Sequence, residues 1–341
     1  MAQNQPNGDH EHAAPIPVDP EFIRHEADSA LGDCDVSIHP EPSLHGSALQ
    51  YRELHGRTYH NFGNTEYWGP NDNAQNDGLD LHHQALLLLN DGKLFRSPVE
   101  NPQAILDIGT GTGAWAVEVA DEFPSAQVIG TDLSPIQPSW VPPNCTFELD
   151  DVTSPWTFPA NHFDLIHIRC LMGSIEDWTK LYSEALRCLK PGGWLEHTDF
   201  TVRITSDDGS VPENSAYDTW NRVFAETGER TGKTFAVDDG HMARCMEQAG
   251  FTGPINVKEF KLPLGTWPAD KKWKQIGGFN VVGCDYGLEG YLLYSATNVL
   301  GWEVGDVDAL CQDMRAAFRN PSWHAHFPCT TVWTQKPAET E

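Results

Sequence analysis

The run Asp107-Ile108-Gly109-Thr110-Gly111-Thr112-Gly113, directly after the apolar stretch Ala104-Ile105-Leu106, constrains this chain more than any other segment. Alternating glycines at a strand-to-helix join let the backbone turn sharply and approach a bound molecule closely. The free amides of the helix that follows, over 115–122, are expected to face the same place, so that Gly109, Thr110, Gly111, Gly113 and Trp115 border a nucleotide-type pocket. Two cofactor classes fit such a turn, because Gly109, Gly111 and Ala114 also satisfy the G-x-G-x-x-G/A spacing of dinucleotide binders. Asp107 separates them: its charge repels a pyrophosphate and attracts the ammonium and sulfonium of S-adenosylmethionine (SAM). SAM is the expected cofactor.

The next two strand-like stretches also end in acids. Gln127-Val128-Ile129-Gly130-Thr131-Asp132-Leu133 places Asp132 to accept hydrogen bonds from a ribose diol, a feature both cofactor classes share. Thr146-Phe147-Glu148-Leu149 runs into Asp150-Asp151-Val152, where an acid can take an adenine amino group and the aliphatic residue can pack on the ring. A plain glycine turn with helix-capping acids explains any one of these elements, but not acids at three successive strand ends.

Composition bounds the partners. With 49 acidic against 22 basic residues, the net charge of −27 opposes phosphate backbones and anionic membrane surfaces, so nucleic acid and membrane are not expected partners. Eight cysteines lie scattered without a C-x-x-C pair, and the first twenty residues lack an apolar core, which argues against secretion and a zinc cluster and for a reducing, cytoplasmic setting. No metal constellation emerges. The longest apolar region, 276–302, is interrupted by Asp285, Glu289 and several glycines.

Residues 1–42 read as a disordered tail rich in Pro, His, Asp and Glu, in which His10-Glu11-His12 offers an adventitious metal contact at most. Residues 43–100 read as a helical cap, with helix-like stretches at 47–59 and 79–89 and a loop at 61–77 suited to closing over a pocket. Strands are expected near 104–108, 126–131, 145–149, 163–169 and 193–199, and helices near 114–123 and 175–189; Lys190-Pro191-Gly192-Gly193 stops the latter. Alternation of this kind implies an α/β, doubly wound parallel sheet. A single domain over 101–336 follows, completed by helices at 216–227 and 241–249 and strands at 255–262 and 329–334. Between those last strands, 270–320 reads as a helical lid insertion, with Trp267, Trp273, Phe279, Tyr286, Tyr291, Tyr294 and Trp302 supplying aromatic area over an apolar substrate.

The runs Leu106 to Gly113, Val128-Ile129-Gly130-Thr131-Asp132-Leu133-Ser134-Pro135-Ile136-Gln137-Pro138, Phe163-Asp164-Leu165-Ile166-His167-Ile168-Arg169 and Leu189-Lys190-Pro191-Gly192-Gly193-Trp194-Leu195-Glu196 resemble a class I SAM-dependent methyltransferase. More narrowly, Ser134 to Pro138, the flanking Trp140-Val141-Pro142-Pro143-Asn144, Asp150-Asp151-Val152 and Gly173-Ser174-Ile175-Glu176-Asp177-Trp178 resemble the fungal LaeA-like methyltransferases of secondary metabolism, over roughly 56–196. The resemblance implies a Rossmann-like seven-stranded sheet, with Asp107, Gly109 and Gly111 near the methionine moiety, Asp132 at the ribose, and Asp151 with Val152 at the adenine. One departure is Cys170, where relatives often carry an aromatic residue.

Methyl transfer asks mainly for alignment of acceptor and donor, with a base where the acceptor carries a proton. His167, Arg169, His197 and Asp199 stand at the ends of the fourth and fifth strands. His197 is the preferred base; His167 reads more readily as a core histidine than as a catalyst, and Arg169 as an orienter of an anionic group or of Asp151, or as a salt-bridge residue beside the cofactor. The favoured function is methylation, at oxygen or nitrogen, of a small, largely apolar metabolite in secondary-metabolite biosynthesis. Two alternatives stay open: a LaeA-like regulator working through protein partners, nuclear in location, and a methyltransferase-fold protein that catalyses a non-methylating rearrangement.

Overall fold

The structure, a computed structural model, describes residues 8–19, 50–237 and 240–338, and the expectations placed on 1–7 and 20–49 fall outside them. Strand β1 (His10–Glu11) opens the described chain, followed by the hairpin β2 (Arg52–Leu54) and β3 (Arg57–Tyr59) and by helix α1 (Asn73–Leu89). The α/β core then alternates β4 (Ala104–Ile108), α2 (Ala114–Glu122), β5 (Gln127–Asp132), β6 (Cys145–Leu149), β7 (Phe163–Arg169), α3 (Trp178–Cys188) and β8 (Leu189–Phe200). After β9 (Thr205–Ser206) come α4 (Ala216–Thr231), α5 (His241–Ala249), β10 (Ile255–Pro263), α6 (Lys271–Leu293), a π-helical turn (Tyr294–Val299), α7 (Val304–Phe318) and β11 (Ala325–Gln335).

The sheet runs β1-β10-β11-β8-β7-β4-β5-β6, with the short β9 paired to β11. Within it the seven expected strands keep a Rossmann-like order, and β11 lies antiparallel to both β8 and β10. Ile105, Leu165, Val128 and Trp115 belong to the apolar cluster on one face; Leu106, Ile166, Tyr182 and Leu195 belong to the larger one on the other. Strands covered on both faces need side chains that are apolar in both directions, which is why β4 and β7 read as near-continuous apolar runs.

Two local expectations are corrected. Residues 52–59 form a hairpin, not a helix: His55 and Gly56 both adopt left-handed backbone (φ 50° and 80°), the two-residue turn that suits strand twist and ends a helix. Arg57 then grips Asp72 through Nε (2.5 Å) and Nη2 (2.8 Å), and Asp72 caps α1 by accepting from Gln75 N. Residues 8–19, expected as tail, run along the sheet edge instead; β1 extends β10 in parallel and Asp19 N donates to Trp267 O (3.0 Å). An unpaired sheet edge offers ladder hydrogen bonds to any extended segment, and periodicity does not reveal so short a strand.

The 270–320 segment is largely helical, and α6 packs closely on α1. A Cβ on Gly78 would meet Gly283 O at 2.9 Å, and one on Gly283 would meet Gly78 O at 3.0 Å, so the crossing depends on the missing side chains. In this way α6 braces α1, and α1 borders the cleft above the sheet.

Candidate functional site

The cleft opens at the carboxyl ends of β4, β5, β6 and β7, where the strand order reverses on either side of β4. It encloses about 1330 Å³ of empty space, its open mouth included. Gly109 adopts φ 66°, and a Cβ there would lie 2.5 Å from Leu171 Cδ2, so only glycine lets the cleft wall close against the turn. The amides of Thr110, Gly111 and Gly113 are committed within the protein, to Thr131 O (2.9 Å), Asp132 Oδ2 (2.8 Å) and Thr110 O (3.0 Å). Close backbone approach, more than donation from those three amides, is what the turn provides.

Asp107 does not line the cleft. Its carboxylate, 3% exposed, accepts from Thr110 Oγ1 (2.6 Å) and pairs with His167 Nδ1 (2.7 Å), so the expectation that it meets the cofactor's positive charge is corrected. Strand pairing of β4 with β7 puts Asp107 beside His167, a contact the linear sequence does not announce. The His167 ring stacks on Trp115 at 3.7 Å and 5°, and Trp115 Nε1 donates to Leu94 O (2.7 Å). Trp115, Gly113 and His167 therefore belong to the support beneath the turn, outside the wall of this cleft.

Gly109, Thr110 and Gly111 do border the cleft, as do Asp132 and Leu133 at the end of β5, Asp150, Asp151 and Val152 after β6, and Arg169 at the end of β7. Asp132 Oδ2 takes the Gly111 amide and Oδ1 the Ser134 amide (3.0 Å), yet burial still pushes its carboxyl up to about 6. Asp151 accepts from Thr65 Oγ1, Thr153 Oγ1 (2.7 Å) and Thr153 N (3.0 Å). Burial raises Asp151, but those hydrogen bonds outweigh it and hold the group below its ordinary value. Arg169 Nη2 donates to His83 Nδ1 (3.0 Å), whose Nε2 lies 3.1 Å from Glu118 Oε1, so Arg169 contacts α1 rather than Asp151.

The opposite end of the cleft is apolar and aromatic. Tyr67 and Trp68 come from the 61–77 loop, Leu171 and Ile175 from the segment after β7, Phe200 from β8 and Tyr291 from α6. Of the aromatic residues expected in the lid, Tyr291 alone lines this cleft among the described residues; Trp267 is buried and donates to Ala325 O (3.0 Å), and Tyr286 is exposed. His82 lines the same wall, stacked on Tyr291 at 6.4 Å and 25°, its Nδ1 3.4 Å from the Tyr291 hydroxyl. Burial lowers His82 to about 4 and His83 to about 3, raises Tyr67 and Tyr291, and pushes the Cys170 thiol up to about 12. Such a wall favours neutral groups.

His197 is not the base. It is fully buried, outside the cleft, with Nδ1 2.7 Å from the Tyr182 hydroxyl, Nε2 3.2 Å from Asp199 Oδ2, and its ring stacked on Trp178 at 5.0 Å. Asp199 Oδ2 also accepts from Leu171 N (3.0 Å), so the chain from Tyr182 to Asp199 fixes the segment that walls the cleft. Sequence reasoning missed Gln75, Leu79, Met172 and Phe200 in the lining. The paired His82-His83 gave a signal, since adjacent helix residues point to different surroundings, but which neighbours they meet depends on α6 and β7.

A methyltransferase domain model matches residues 81–253. The chain is 37% identical to Methyltransferase pytC of Aspergillus terreus over 93% of this chain and 97% of that protein. It is 34% identical to Secondary metabolism regulator LAE1 of Cochliobolus heterostrophus, covering 87% of this chain and 97% of the relative. It is also 30% identical to Protein-methionine methyltransferase laeA of Emericella nidulans, covering 88% and 80%.

Proposed function

The chain belongs to the SAM-dependent methyltransferase family, and from that premise we propose that it methylates a small, largely apolar metabolite at oxygen or nitrogen in a secondary-metabolite pathway. The single observation that carries this reading is one cleft with two chemically different ends. Asp132, Asp150 and Asp151 offer acceptors to the hydroxyl and amino groups of SAM; Tyr67, Trp68, Leu171, Ile175, Phe200 and Tyr291 offer apolar surface to an acceptor. Bound there, SAM supplies an activated methyl group.

The residues of the chain do the rest. Asp132 faces the cleft as a half-buried carboxylate with only backbone partners among the hydrogen bonds it accepts, so ribose hydroxyl donors would offset part of its desolvation. Gly109 and Gly111 keep the wall thin where the methionine end of SAM would lie. The aromatic wall excludes water and holds the acceptor in line. His82, neutral above about pH 4, lines the cleft beside Tyr291 and is the proposed proton acceptor, through the Tyr291 hydroxyl, for an acceptor that loses a proton.

A second reading has its own observation. Met172, 5% exposed, lines the cleft, and one relative carries the name protein-methionine methyltransferase, so a thioether of this chain or of a protein partner is the competing acceptor. A thioether needs no base. Incubation with SAM labelled in the methyl group, with and without metabolite extract of a producing fungus, separates the two. Label in a small organic product, dependent on extract, is expected; label on the protein alone overturns the metabolite reading.

A further inference from the structure

His10 and His12 alternate on the edge of the sheet, and residues two apart on a strand present their side chains to one side. β1 runs parallel to β10 with His10 opposite Val257 and Glu11 opposite Lys258, which brings Glu259 beside both rings. His10 Nε2 lies 3.2 Å from Glu259 Oε1, and His12 Nδ1 lies 2.9 Å from Glu259 Oε2. The ring centroids are 4.2 Å apart, and one ligand atom from each of the three residues lies within 4.8 Å of the others.

We propose that His10, His12 and Glu259 form a binding site for a divalent transition-metal ion, with zinc the reference, which clips the N-terminal segment to the sheet edge. Two imidazoles and a carboxylate form a donor set suited to zinc, nickel or copper rather than to magnesium or calcium, which prefer all-oxygen shells. Tetrahedral zinc with bonds of about 2.0–2.1 Å separates its donors by roughly 3.3 Å, so the side chains need shift only slightly. The His12 and His10 side chains are 73% and 46% exposed, which gives an ion a path in and leaves room for a water ligand. The strongly acidic chain draws cations to its surface.

The site is remote from the cleft in the sheet, yet its segment reaches an element of the cleft. Val18 bridges Pro268, and Ala269 N donates to Pro17 O (2.8 Å), directly before Asp270 caps α6. A metal held at β1 would therefore tether a strap that ends at the start of α6. Without metal, the same three residues form hydrogen bonds or ion pairs alone, and the experiment distinguishes the two.

The test is calorimetric titration of the untagged, chelator-treated full chain with zinc chloride near pH 7.5, together with X-ray absorption of the zinc-loaded protein. One equivalent is expected to bind through nitrogen and oxygen donors. Glu259→Gln should weaken binding about tenfold or more, and a His10→Ala, His12→Ala double variant should abolish that equivalent. These side chains are exposed, so the variants should keep the zinc-free melting temperature of the parent within a few degrees. Absence of binding, sulfur ligation, or affinity unchanged in both variants would overturn the site.

Discussion

His167 Nδ1 and Asp107 Oδ1 meet at 2.7 Å beneath the glycine turn, and both side chains are withdrawn from the cleft. The acid that most distinguishes the motif thus holds the turn in shape through Thr110 Oγ1 and His167, while Asp132 presents a half-buried carboxylate at the cleft wall. Support and contact fall on different acids.

Asp107→Asn and Asp132→Asn should therefore separate. Replacing Asp107 breaks a buried hydrogen-bonded pair and is expected to cost about 1–3 kcal/mol of folding stability. Replacing Asp132 should weaken SAM binding by roughly tenfold or more, because its carboxylate is the proposed acceptor for two hydroxyl donors. Calorimetry and denaturant unfolding on both variants check this; a stability loss confined to Asp132→Asn, with SAM affinity lost only in Asp107→Asn, would reverse the assignment.

His197→Ala should behave as a core mutation. It removes a fully buried ring that joins Tyr182, Trp178 and Asp199, so a loss of about 2–4 kcal/mol in stability is expected. His197→Gln, which can keep one of the hydrogen bonds, should recover part of that loss. A variant that unfolds like the parent but loses turnover with SAM binding intact would restore His197 as a base.

Acidification should destabilise the unliganded protein, with His82 and His83, and His326, which burial also lowers to about 4, giving the sign. Burial lowers the first two to about 4 and 3 from 6.5, so the unfolded chain binds their protons first. Their stability is complete above pH 6.5 and is lost as pH falls through 6.5 toward 4. Asp132 opposes this: raised to about 6 by burial, it takes up a proton first in the folded state and stabilises on acidification. The histidines outweigh that carboxylate, and each pKa unit corresponds to about 1.4 kcal/mol. Urea unfolding at about pH 7.5 and about pH 5 should show the loss, and His82→Asn should reduce it by roughly 2 kcal/mol. An undiminished loss in that variant would remove His82 from the account.

The sequence by itself determined the frame. Ala104 to Gly113 fixes a strand, a left-handed glycine turn and a helix start through local sterics, and the acids after β5 and β6 stand at strand ends that short-range patterning locates. For the same reason the cleft residues from Gly109 to Arg169 were legible, since each lies at or within a few residues of the carboxyl end of a strand whose direction the alternation of elements dictates. The tertiary structure decided what each polar side chain faces. Asp107 and His167 lie sixty positions apart and pair only because β4 and β7 are neighbours; His197 is sealed by Trp178 and Tyr182 from α3. Tyr291 reaches the cleft because glycines let α6 lie against α1, and β1 joins the sheet because β10 left an edge to pair. Backbone conformation follows from nearby residues, whereas burial and pairing of a carboxylate or an imidazole depend on elements that meet only when the chain packs, where an unpaired polar group is too costly to leave buried.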